Sequence, residues 1–185
     1  MCTGVRFADA AGNLYFGRNL DWCESYGEGV VITPRGASIP TQFLGSLSPE
    51  HACVGMGIVV GGVPCYFDCA NEAGLAIAGL NFPGYAQFAE APEEGAVNVA
   101  AYEFPLWVAA SFSTVAEVRE ALTGVVIVAK APSEGYGVAQ LHWLVGDGKE
   151  SIVIECQADG MHVYDDGLDV LTNQPPFPWH TENVR

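Results

Sequence analysis

The second residue of the chain is a cysteine, in the stretch MCTGVRF. Removal of Met1, which the small Cys2 side chain permits, leaves one residue that carries both a thiol and a free α-amine. A thiol with a reference pKa of ~8.5 is only slightly ionised at neutral pH, whereas an α-amine near ~7.7 to 8.0 is an adequate base. One residue then supplies nucleophile and proton acceptor. To work well, the sulfur needs a cation beside it and the amine needs an acceptor that orients it. The stretch GRNLDW offers both types, Arg18 and Asp21, three residues apart. The competing reading is a terminal thiol that packs or frays, with a surface ion pair worth about 0 to 1 kcal/mol.

The surrounding pattern explains how these residues could meet. VRF, DAAGN and LYFGRNL read as strand, turn and strand, and an antiparallel hairpin centred near Gly12-Asn13 returns the Arg18–Asp21 end to the N-terminus. A second hairpin is expected from YFDCA, NEAG and LAIAGLNF. A later β block follows from LHWLVG, GDGK, SIVIE, ADGM and HVYDD, in which Asp147-Gly148 and Asp159-Gly160 are expected to supply positive φ. Between the β blocks, STVAEVREALTG has capping-box spacing at Thr114 and Glu117, an apolar face of Val115, Val118 and Leu122, and a stop at Gly124. AAYEFPLWVAASF reads as a second helix that Pro105 starts or bends. VGMGIVVGG lacks the spacing of a dinucleotide fingerprint and reads as a strand packed closely on a neighbour. APEEGA and KAPSEGYG read as loops. Strands, helices and strands in that order predict an α+β layered domain rather than a parallel βαβ array. The final TNQPPFPWHTENVR reads as the start of another element, so the chain is expected to be the N-terminal part of a longer protein.

Composition narrows the function. At 185 residues, half of them apolar, the chain suits a single domain spanning 1–185. Seven basic against 22 acidic residues give a net charge of -15, which opposes nucleic acid and anionic membrane surfaces as partners. No apolar run approaches the ~18 residues of a membrane helix, and no basic-then-apolar leader opens the chain, so it reads as soluble and cytoplasmic. The six cysteines, at 2, 23, 53, 65, 69 and 156, form no CxxC pair and have no zinc spacing with the four histidines. Reduced, mostly core thiols are expected, with no metal and no cofactor. Neither a GxSxG elbow nor a phosphate loop is present.

MCTGVRF, YFGRNLDW, the PRG at 34–36, NEAGLAIAGLNFPGYA and LTNQPPFPWH together resemble the choloylglycine hydrolase family, in particular its bile salt hydrolase branch, over essentially all 185 residues. The resemblance implies an N-terminal nucleophile hydrolase with an αββα four-layer sandwich, here incomplete at the C-terminus. It implies Cys2 as the nucleophile once Met1 is gone, Arg18 beside the thiol and Asp21 holding the α-amine. Asn173 would donate its side-chain amide to the developing oxyanion, joined by the backbone N–H of Asn81. Read alone, both asparagines are turn formers, Asn173 ahead of a double proline and Asn81 ahead of Pro83. A second family arginine would fall beyond Arg185. The implied substrates are glycine- or taurine-conjugated bile salts; the alternatives are a penicillin V acylase-like amidase and a truncated non-catalytic remnant or binding protein. Leu20, Trp22 and Tyr26, with Asn81, are expected to bind the steroid, and the KAPSEGYG loop to cover one side. The resemblance also implies a homotetramer.

Overall fold

The first reversal of the chain falls at Gly12, whose φ of 85° suits a residue without a Cβ. It joins β1 (Thr3–Ala8) to β2 (Leu14–Asn19) in the expected hairpin. Asp9 fastens the turn by accepting the backbone N–H groups of Ala11 and Asn13. This computed structural model describes residues 1–184; Arg185, the last residue of the expected domain, lies outside the described residues. The remaining elements are β3 (Gly29–Thr33), β4 (Ile39–Pro40), β5 (Ser46–Leu47), β6 (Cys53–Val60), β7 (Val63–Asn71), β8 (Ala76–Asn81), β9 (Val97–Ala100), α1 (Phe104–Ser111), α2 (Val115–Ala121), β10 (Val125–Val128), β11 (Leu141–Gly146), β12 (Ser151–Gln157), β13 (Gly160–Asp165), β14 (Val170–Leu171) and α3 (Phe177–Val184).

Seven strands form an antiparallel sheet in the order β13-β12-β11-β8-β7-β6-β3, and a second sheet has the order β14-β1-β2. The two-residue period of the strands sorts their side chains between two cores. Ile77, Trp143, Val145, Ile152 and Ile154 face α1 and α2. Ala78, Leu80, Leu144 and Val153 face the second sheet, where they meet Cys2 and Leu171. The layers therefore run helix, sheet, sheet, with α3 joining the second core through Phe177. Because both faces of β8, β11 and β12 are covered, these strands read as nearly continuous apolar runs.

Both expected helices form. Every residue of α1 from Phe104 to Ala110 is buried, as befits a helix apolar all round, and Pro105 occupies the first turn, where a missing N–H costs little. At its C-terminal end the carbonyls of Ala109 and of Phe112, the residue just past the helix, accept from the Asn71 side chain. Thr114 and Glu117 build the anticipated capping box at the start of α2, a feature worth about 0.5–2 kcal/mol.

VGMGIVVGG is the expected close-packed strand. A Cβ at Gly55 or Gly57 would collide with the carbonyl oxygen of Asp68 or Cys65 on β7. The register slips there, so that Met56 opposes Asp68 and Gly57 opposes Tyr66, leaving Phe67 as the extra residue of a bulge. One turn differs from expectation. Gly160 takes positive φ, at 126°, but Gly148 is absent from the positive-φ positions among the described residues. Asp147 holds that turn instead: its Oδ1 accepts from the N–H groups of Lys149 and Glu150, and its Oδ2 from Val115 at the start of α2. Among the described residues the non-glycine left-handed position is Asp169, with φ 55°, which was not foreseen.

Candidate active site

Cys2 leads into β1 and is only 3% exposed, among Leu80, Leu144, Leu171 and Phe177. Gly4 allows this approach: a Cβ there would stand 3.2 Å from Leu144 Cδ2. The Cys2 N–H donates to Asn173 Oδ1 at 2.6 Å. Asn173, just past β14, is itself buried, and its Nδ2 donates to the Asn81 carbonyl at 2.8 Å.

The reason these groups meet lies in the large sheet. The β7–β8 ladder ends at the Asp68–Ala78 pair. Further along β8, the N–H of Phe82 bonds to the Gln140 carbonyl at 2.8 Å, with Asn81 opposite Leu141 and Gly79 opposite Trp143. In an antiparallel ladder hydrogen-bonded and non-hydrogen-bonded pairs alternate, so the backbone groups of Gly79 and Asn81 point away from β11. They point into the splay beside β7. Arg18 and Asn173 take up their carbonyls: Arg18 Nη2 donates to Gly79 O at 2.8 Å, as Asn173 does to Asn81.

Register places Arg18 opposite Gly4 on the hairpin. Its side chain is only 6% exposed, with Nη1 3.8 Å from the Asp68 carboxylate. The buried Arg18 Nε has no partner among the described residues. Burial raises the Asp68 pKa, and the Arg18 charge and the Met56 N–H oppose that rise. Asp68 is thus a counter-charge for a buried cation.

Asp21 is exposed and binds the Met1 ammonium at 2.6 Å, a contact that holds its carboxyl below the usual carboxylate range. With Met1 in place, Asp21 therefore holds the amine of residue one while the Cys2 N–H rests on Asn173. Asn19 supports the same segment, accepting the Thr3 N–H at 2.7 Å and donating to the Met1 carbonyl at 3.3 Å.

The structure thus gathers Cys2, Asn81 and Asn173 into one hydrogen-bonded chain and sets Arg18 and Asp21 on the adjoining hairpin strand and its continuation. Asp68, Asn19 and the Gly79 carbonyl were missed. A lone acid inside YFDCA was the available signal for Asp68; the role of Gly79 leaves none, because it rests on backbone direction.

Tyr26 sits with ring centroids 6.0 Å from Phe67 of the bulge and 6.5 Å from Tyr136 of the 130–137 loop. Leu20, Trp22 and Tyr26 are all exposed. Cavities of about 520 and 510 Å³ open elsewhere, beside Tyr164 and Phe177 and beside His51 and Glu117, and none of Leu20, Trp22, Tyr26 or Asn81 lines either. Burial pushes the Cys53 and Cys65 thiols up to about 11 and Cys156 to about 12, and raises Cys69 as well; Cys23 alone is exposed. Among the described residues no group of three His, Cys, Asp or Glu is placed to hold a metal ion.

Cys2 is thus a buried thiol one residue in from the exposed N-terminus, bonded to Asn173 and leading into the strand that pairs with that of Arg18. The family model for linear amide C–N hydrolases of the choloylglycine hydrolase family matches residues 2–185, and the chain belongs to that family. It is 58% identical to a bile salt hydrolase/transferase of Bifidobacterium longum and 52% identical to a conjugated bile acid hydrolase of Lactobacillus gasseri, in each case over 100% of this chain and 58% of the relative. Among solved structures, the R18L variant of conjugated bile acid hydrolase from Clostridium perfringens superposes with a TM-score of 0.94 at 37% identity, over 99% of this chain and 56% of that one. Penicillin V acylase from Agrobacterium tumefaciens gives 0.76 at 20% identity, over 98% of this chain and 55% of that one, a likeness of fold. The α+β sandwich is that of the N-terminal nucleophile hydrolases, and the chain spans a little over half the length of the relatives it matches.

Proposed function

We propose that the protein hydrolyses the amide bond between a bile acid and its glycine or taurine, with Cys2 as nucleophile. The observation that carries this is the 2.6 Å contact between Cys2 N and Asn173 Oδ1, which ties the nucleophile's own nitrogen to a second site residue. The printed names of the relatives point to bile acid conjugates as the substrate class. Removal of Met1 turns the Cys2 nitrogen into an amine. Cys2 Sγ attacks the amide carbonyl and its proton passes to that amine, which delivers it to the departing amino acid nitrogen as the C–N bond breaks. Water, giving a proton to the same amine, then attacks the thioester, and the thiol leaves reprotonated with the free bile acid as product. Asn173 Nδ2 and the Asn81 N–H are the donors for the oxyanion, Arg18 supports the thiolate and Asp21 orients the amine. For Asn173 Nδ2 to serve, its bond to the Asn81 carbonyl must yield to substrate.

Tyr26, Leu20 and Trp22 offer apolar contact to the steroid at the open side of the site. The protein acts in the cytoplasm, consistent with the absence among the described residues of a helix long and apolar enough to cross a membrane. It works as a homotetramer, which light scattering at assay concentration tests. Incubation with taurocholate, glycocholate and penicillin V, with assay of the released amine, should show turnover of the bile conjugates in preference to penicillin V. Intact mass should show loss of Met1. Folded protein that has lost Met1 yet turns over none of the three amides would overturn the hydrolase reading in favour of a non-catalytic remnant.

A further inference from the structure

His142 and Glu155 are a fully buried pair on neighbouring strands, each 0% exposed, and the chemistry just described does not use them. His142 Nδ1 lies 2.9 Å from Glu155 Oε1, and His142 Nε2 lies 2.7 Å from the Thr172 carbonyl. A carbonyl only accepts, so Nε2 carries a proton, and a second proton is shared between Nδ1 and the carboxyl. Glu155 Oε1 also accepts the Phe177 N–H at 3.0 Å, and Oε2 accepts from the Gln157 side chain at 3.1 Å. The pair therefore grips both ends of one short segment: Thr172 through its carbonyl and Phe177 through its amide. Asn173 sits between them. The same imidazole stacks on Phe82, with centroids 4.3 Å apart and planes 7° from parallel, and Phe82 directly follows Asn81. Both asparagines are thus referred to one ring.

We propose that His142 and Glu155 form a positioning clamp for the 172–177 segment, fixing the Asn173 amide against Asn81 and Cys2. The catalytic consequence rests on the hydrolase reading above; the clamp itself does not. A buried polar pair is costly unless its hydrogen bonds are satisfied, and its specific benefit here is a unique placement of two backbone segments that the surrounding apolar side chains cannot dictate. Misplacing a reacting group by about 1 Å typically costs about 100-fold in rate.

The test uses Glu155→Ala, which removes the Phe177 acceptor, and His142→Ala, which removes the Thr172 donor, in the full chain, and either one decides the matter should the other fail to fold. Amide hydrogen exchange should accelerate at Phe177 and at Asn173 and Gln174, the residues between the two grips that carry an amide hydrogen, while the amides of β12 stay protected. Turnover of taurocholate should fall about tenfold to 100-fold with KM changed less than about twofold. Placed in an Asn173→Ala background, either substitution should cause little further loss, because it acts through Asn173. A folded variant whose 172–177 amides exchange as slowly as in the unmodified protein overturns the clamp, whatever its activity; so does a full multiplicative loss in the Asn173→Ala background. An unmodified protein without activity but with exchange that accelerates in the variants would sink the hydrolase reading and support the clamp.

Discussion

The two faces of the seven-stranded sheet are built from the same strands and do different work. On the helix side, Phe104, Trp143, Leu106 and Ile154 pack without exposure, and aromatic contacts such as Phe104 on Trp143, 4.7 Å between centroids, lock α1 in place. On the other side the core is smaller and interrupted by Cys2, His142, Glu155, Asn173 and the Arg18 head, each tied to a named partner or to a backbone carbonyl. Apolar area stabilises one face; directional bonds specify geometry on the other. The lesson is that a single strand, β8, contributes Ile77 to stability and the Gly79 and Asn81 carbonyls to the site, with the side-chain period and the end of the β7 ladder deciding which.

The contrast can be broken most sharply at Phe104. Phe104→Ala should cost about 3–5 kcal/mol of unfolding free energy, measured in urea, while leaving turnover per folded molecule unchanged. A large activity loss in the folded fraction would show that the helix face also sets site geometry. Asn173→Ala should do the reverse: about 100- to 1000-fold lower kcat, equivalent to about 2.7–4 kcal/mol of barrier, with much the smaller loss of stability. Unchanged turnover in a folded Asn173→Ala protein removes Asn173 from the mechanism.

A smaller effect sharpens the electrostatic side of the comparison. Asp166, on the loop leading into β14, is pushed up to about 6 by burial, aided by the nearby Asp169 charge and opposed by backbone N–H groups such as Leu168. A carboxyl raised on folding lets the native state hold the proton longer than the unfolded chain, so stability falls as pH climbs from about 4 to about 6 and then levels off. Asp166→Asn should flatten that descent and stabilise the protein at pH 7 by about 1–2 kcal/mol. An unchanged pH profile would mean that this loop carries no electrostatic cost.

Much of this was legible beforehand. The hairpin turn at Gly12, the capping box at Thr114 and Glu117, and Pro105 in the first turn of α1 are local devices whose chemistry is written within four or five residues, so periodicity and turn rules found them. The Gly148 turn went differently because Asp147, engaged with Lys149, Glu150 and Val115, supplied a side-chain solution that positive φ would otherwise provide. Leu20, Trp22 and Tyr26 were expected to wall a cleft on grounds of proximity in sequence, and all three are exposed on the segment after β2.

The residue types of the site, Cys2 with Arg18 and Asp21 returned by a two-strand hairpin, were determined by the sequence alone, because strand pairing across a short turn is a local matter. The joining of Asn173 to Cys2 across 171 residues, the Gly79 carbonyl under Arg18, the Asp68 counter-charge and the His142–Glu155 pair were decided only in the tertiary structure. They depend on sheet order and on where a ladder ends, and those follow from how the whole chain buries its two faces.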